Sequence, residues 1–187
     1  SNDIKAAGLP TWASVKGPSP TFQAISAIAV AQGNSNFVVV GHNDGGIFLS
    51  QDGTAAVPAW VAINNGIPAR FVTRIAIDET RLTPWIYATF GGFSADNVWR
   101  TQDLGVTWTD VTGSGITGLP DVPVRSIVIN PARQDHLFVG TEIGIFASID
   151  AGATWSLPQD GPANVSVDEL FWNRGQLVAA THGRGIY

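Results

Sequence analysis

The chain has 187 residues and a formal net charge of -5, with ten Lys plus Arg against fifteen Asp plus Glu. It therefore has no basic field to displace counterions from a nucleic-acid backbone, and no nucleic-acid partner is expected. With no cysteine it carries neither a disulfide framework nor a thiolate metal site, and its longest apolar run, 24–31, falls well short of the ~20 residues that cross a bilayer, so no membrane insertion is expected.

Hydrophobic residues make up 44% of the chain, with 21 Gly and 11 Pro, a balance that suits many short strands joined by tight turns in one all-β domain. The first strand-like stretch is 11–15, beginning at Thr11-Trp12. Three more follow at 25–30, 37–40 and 46–48, rich in Val, Ile and aromatics and bounded by Gly, Asn and Asp, and a fourth surrounds Trp60. The order returns as 72–77, 85–89, 97–99 and Trp108, then as 124–129, 136–139, 144–146 and Trp155, and last as 165–171, 176–180 and 185–187. Trp12, Trp60, Trp108 and Trp155 are 48, 48 and 47 residues apart. Four short strands per ~40–50 residues, repeated, is the signature of a propeller blade, because one blade leaves its sheet faces bare and must stack on neighbours. The expected architecture is four blades of four antiparallel strands: 23–63, 72–112, 124–158, and 164–187 completed by 9–16. Closure of the ring by that N-terminal strand is one expectation. A fragment of a larger propeller, or a homodimer completing a larger ring, is the other.

After the third strand of two repeats come Thr101-Gln102-Asp103-Leu104-Gly105-Val106-Thr107-Trp108 and Ser148-Ile149-Asp150-Ala151-Gly152-Ala153-Thr154-Trp155. A degenerate copy, Ser50-Gln51-Asp52-Gly53, reaches Trp60 with three extra residues. In such a turn the aspartate accepts bonds from following amides, the glycine supplies a positive φ and the tryptophan buries a large face. Asp52, Asp103 and Asp150, with Trp60, Trp108 and Trp155, are accordingly expected to be structural. The pattern resembles the Asp-box (BNR) repeat of sialidases, sortilin-like receptors and xyloglucanase-type glycoside hydrolases. That resemblance implies that these turns face away from the usual active site, and that ligands bind the opposite rim, formed by the loops between strands two and three and between strand four and the next strand one. The segment 181–187 also resembles the Thr-His-Gly-Arg-Gly-Ile ending of last blades in bacterial Asp-box proteins.

On that rim the sequence places His42, Asp44, Asp96, Asp121, Glu142, His182 and Arg184. Asp44 and Glu142 are the candidate catalytic pair, because glycoside hydrolysis requires two carboxyls ~5–5.5 Å apart for retention or ~6.5–9.5 Å for inversion. His42, Asp44, Asp121, Glu142, His182 and Arg184 are the candidate binding residues. His42 and His182 occupy analogous loops without a third clustered ligand, so no metal is expected, and nothing implies a cofactor. Sialidase activity is disfavoured: the resemblance would require an arginine triad and a tyrosine nucleophile, and the two tyrosines, Tyr87 and Tyr187, both fall within strands. The resulting expectation is a non-catalytic extracellular or periplasmic module that binds or scaffolds carbohydrate or protein. The alternative is part of a xyloglucanase-like glycoside hydrolase, a class in which the resemblance implies catalytic carboxylates contributed by two propellers facing one cleft.

Overall fold

A computed structural model describes residues 13–18, 20–21, 23–157, 161–162 and 164–187. The first antiparallel sheet is β1 (Ile25–Ala31), β2 (Asn34–His42), β3 (Ile47–Ser50) and β4 (Val61–Ala62). The second is β5 (Val72–Asp78), β6 (Trp85–Phe90), β7 (Val98–Thr101) and β8 (Thr109–Asp110). Three-stranded sheets follow: β9 (Val124–Asn130), β10 (Arg133–Thr141) and β11 (Gly144–Ser148), then β12 (Val167–Asn173), β13 (Gln176–Thr181) and β14 (Gly185–Ile186). Where the third sheet would gain a fourth strand, a single bridge joins Ala147 to Ser156.

The sheets repeat in register as well as in order. Ile28 pairs with Val40 and Val40 with Phe48; Ile75 pairs with Ala88 and Ala88 with Trp99; Ile127 pairs with Val139 and Val139 with Phe146. Near its start each inner strand carries a β-bulge that drops one residue from the pairing: Ser26, Thr73, Arg125 and Asp168. A bulge re-aims the side chain it carries, so one residue per sheet is turned out of the ladder at the same height. Antiparallel order puts these bulges at the end of the sheets that holds the loops between second and third strands. The first hairpin turns and the Asp turns lie at the other end.

The core consists of three clusters, each between successive sheets. Ala27, Val39, Ile47 and Leu49 pack against Val72, Ile75, Ile86 and Phe90; Tyr87 and Val98 against Val124, Ile127, Leu137 and Phe146; Ile145 against Val167, Leu170 and Ala179. Alternating side chains are what make this stacking work, since each strand sends successive residues to opposite faces. Among the described residues no buried cluster joins the fourth sheet to the first. This packing is compatible with the second arrangement expected from sequence, a section of a larger propeller.

The tryptophans stitch the sheets together. Trp108 Nε1 donates to the Ile63 carbonyl at 2.6 Å, and Trp155 Nε1 to the Val111 carbonyl at 2.8 Å, in each case a residue just beyond the fourth strand of the preceding sheet. Trp60 Nε1 donates in the same way to the Val15 carbonyl at 2.8 Å. The expected strand 9–16 lies partly outside the described residues. Its described part runs beside the first sheet, with Lys16 Nζ 4.1 Å from the centre of the Phe48 ring, and among the described residues none pairs it with β14.

Candidate functional site

Two of the bulged residues meet on the rim between the third and fourth sheets. The Arg125 guanidinium is hydrogen-bonded and ion-paired to Glu142, and its Nε lies 3.6 Å from Asp168 Oδ1. Ser166 Oγ donates to Asp168 Oδ1 at 3.0 Å, and His182 Nδ1 lies 3.5 Å from Asp168 Oδ2. These five residues line an open cleft of 350 Å³.

The loops presenting Glu142 and His182 are built alike. Thr141 Oγ1 donates to the Gly144 carbonyl and Thr181 Oγ1 to the Gly185 carbonyl, both at 2.8 Å. Each threonine closes a short turn and leaves the residue after it on the rim. The His182 amide donates to the Ser166 carbonyl at 2.9 Å, which fixes that loop to the approach of β12. Side-chain exposure is 28% for Glu142, 44% for Asp168 and 85% for His182, so the carboxylates are partly shielded while the imidazole stands in solvent.

The other sequence candidates lie elsewhere. His42 is off the rim: β2 runs on through it, and it is fully buried against Phe48, its Nδ1 2.9 Å from the Gln23 carbonyl. Asp44 is half-buried in its own loop, accepting from the Gly46 amide at 3.1 Å and from the Thr21 hydroxyl. It does not line the cleft that holds Glu142. Asp96 is bound by Arg70, whose Nη2 reaches Oδ1 at 2.8 Å and the Asp96 carbonyl at 2.9 Å. Asp121 and Arg184 are exposed and outside the cleft. Arg125 and Asp168 are not among the residues that the sequence singles out. The usable signal was columnar: aligning the repeats puts Ser26, Thr73, Arg125 and Asp168 at one position.

At the opposite end, the three aspartates organise their turns. Thr107 donates to Asp103 through its amide at 2.9 Å and its hydroxyl at 2.6 Å, and Thr101 Oγ donates at 2.7 Å. Thr154 and Ser148 serve Asp150 in the same way. In the degenerate copy Asp52 accepts from the Ala59 amide at 2.9 Å, so the extra residues are looped out and the bond to the residue preceding the tryptophan survives. The Thr107 hydroxyl and amide, with Thr101, hold the Asp103 carboxyl down at about 2. At Asp150 burial opposes the shift, but the bonds from Thr154 and Ser148 outweigh it and the carboxyl is again lowered. A cavity of 430 Å³ opens at this end between the four inner strands, bordered by Arg74, Asp78, Glu79, Asn130, Gln134 and Trp172. Tyr87 is wholly buried between sheets, and burial pushes its hydroxyl up to about 12. Among the described residues no group of three or more His, Cys, Asp or Glu is placed to hold a metal ion, and no helix is long and apolar enough to cross a membrane.

Successive antiparallel sheets with inner strands side by side define a β-propeller. No family model matches the chain. It is 27% identical over 159 residues to the oligoxyloglucan-reducing end-specific xyloglucanase of Emericella nidulans, a match covering 76% of this chain and 18% of that enzyme. Among solved structures it resembles the GH74 enzyme of Niastella koreensis (TM-score 0.65, 18% identity, 84% of this chain and 26% of that one). The GH74 xyloglucanase of Xanthomonas campestris superimposes with a TM-score of 0.62 at 13% identity, over 84% of this chain and 26% of that one. The extracellular domain of a hybrid two-component system from B. thetaiotaomicron gives 0.65 at 17%, over 92% and 21%. The chain thus spans between 18% and 26% of the length of these relatives.

Proposed function

We propose that this chain is a four-blade section of an Asp-box propeller in a xyloglucanase-type glycoside hydrolase, and that its rim cleft binds saccharide hydroxyls beside the scissile bond. The proposed blades are 23–63, 72–112, 124–158 and 164–187; the strand 9–16 that sequence assigned to the last of them has its described part beside the first sheet. The observation that carries the reading is the Arg125–Glu142–Asp168–His182 cluster, at the end of the sheets where the family resemblance puts ligands. Two carboxylates directed at one guanidinium are oriented as acceptors, with oxygen lone pairs left over for sugar hydroxyls. Hydrolysis also needs a carboxyl that delivers a proton to the leaving oxygen, which in this reading comes from a second propeller across the cleft. The similarity to a xyloglucanase and to GH74 propellers favours this reading over a non-catalytic scaffold module. An extracellular or periplasmic location fits this reading, because cell-wall polysaccharide is met there.

Calorimetric titration with xyloglucan oligosaccharides tests the proposal. Binding is expected, without release of reducing ends, and Glu142→Gln or Asp168→Asn weakens it about fivefold, the effect of removing one hydrogen bond worth ~1 kcal/mol. Binding indifferent to both substitutions overturns the cleft assignment. Turnover by the isolated chain overturns the two-propeller reading.

A further inference from the structure

The guanidinium in the rim cleft is outnumbered by carboxylates. Glu142, from the loop of its own sheet, takes the side edge of Arg125, accepting from Nε at 3.0 Å and also from Nη2. Asp168, from the bulge of the next sheet, stands 3.6 Å from the same Nε. Ser166 and His182 complete the lining. With the imidazole neutral, the cleft holds one positive charge against two negative ones. Among the described residues Arg125 is its one arginine or lysine, since Arg184 lies outside it. The formal net charge of the whole chain, -5, acts in the same sense on an approaching anion.

A sugar hydroxyl and a sugar carboxylate meet this cleft differently. The hydroxyl donates into spare lone pairs of Glu142 and Asp168 and leaves their contacts with Arg125 in place, because an ionised carboxylate only accepts and has room for several donors. The carboxylate brings no proton to donate. It reaches the side edge of Arg125 only by displacing Glu142, and it then lies beside two carboxylates of its own sign, which disfavour it. An arginine without such partners behaves in the opposite way, because its planar fork matches a carboxylate with two parallel bonds.

We propose that Glu142 and Asp168 are specificity determinants: by masking Arg125 they turn a guanidinium suited to acidic saccharides into a cleft that rejects them and admits uncharged ones. This selection rests on the saccharide reading of the cleft and adds to it the basis on which sugars are sorted.

Calorimetric titration of the whole chain with a matched pair of probes tests it. The pair is cellotetraose and the tetraglucuronate of the same linkage, in which each primary alcohol is oxidised to a carboxylate. The native chain is expected to bind cellotetraose at least ~10-fold more tightly than the tetraglucuronate. Combining Glu142→Gln with Asp168→Asn keeps the shape of both side chains and unmasks Arg125. Tetraglucuronate affinity then rises about tenfold, while cellotetraose affinity falls and the near-ultraviolet dichroism stays as it was. Glu142→Gln alone gives part of the gain, and Arg125→Gln added to the double variant abolishes it. Equal affinity of the native chain for the two probes overturns the proposal, as does a double variant that gains nothing or a gain that persists without Arg125. If the native chain binds neither probe, the saccharide reading of the cleft falls, while the masking of Arg125 is still decided by the gain in the double variant.

Discussion

The aspartates of the turns are held by short, local bonds, and their contribution has a definite pH signature. The Asp103 carboxyl lies at about 2 in the folded chain against an ordinary 3.8. A lowered folded value means stabilisation that is complete above the unfolded value and is lost as pH falls through the folded one. Asp103→Ala is expected to destabilise the chain by about 1 kcal/mol near neutrality, the low end for such bonds because the carboxylate is solvent-screened. The deficit should shrink between pH 4 and pH 2, as read by urea denaturation of both proteins; a deficit constant with pH would refute it. Residue type made these turns legible in advance, since the bonds run between neighbours in sequence. The rim was less legible. His42 reads as a loop histidine until β2 is seen to continue through it, and Asp168 reads as an ordinary strand residue until the bulge is seen to turn it out.

Among the elements, the glycines of the two complete Asp turns, Gly105 and Gly152, touch the preceding sheet. Gly105 has φ +88°, and a Cβ there would come within 2.4 Å of Ile63 Cβ and 2.9 Å of the Ile63 carbonyl oxygen. Gly105→Ala thus combines left-handed strain with a collision against backbone that Trp108 already holds, and is expected to lower stability by ~2–4 kcal/mol. Gly175→Ala has a similar φ of +81° but no atom within 4 Å, so it should lose only ~1 kcal/mol. Denaturation midpoints of the two variants check the contrast; equal losses would mean that the sheet boundary yields. The inner and middle strands were visible in sequence because their Val, Ile and aromatic runs are long. The fourth strands shrink to two residues or a single bridge, since a strand at the sheet's outer edge gains hydrogen bonds on one side only and the tryptophan, rather than pairing, fixes its place.

At the scale of the whole molecule, the sheets form a series in which each is stabilised by its neighbours. The second and third are covered on both faces, while the first and fourth are covered on one. Native-state hydrogen exchange should therefore be slowest in β6 and β10 and fastest in β13, where the smallest cluster supplies the support. Slow exchange throughout the fourth sheet in a monomeric sample would contradict this. The tryptophan spacing announced the series but not how its ends are satisfied, because a periodic sequence carries the same faces on terminal and internal repeats. The bulges give the series its most general property. Each sets one side chain outside the pairing ladder, so its identity is decoupled from strand register and from the packed faces. In two sheets that socket holds a hydroxyl fastened to backbone, Ser26 on Gly41 and Thr73 on Val124; in the other two it holds the charges Arg125 and Asp168. The charge of the rim at Arg125 and Asp168 can accordingly be rewritten by single substitutions that leave the strand pairing intact, whereas Thr73 also ties the second sheet to the third.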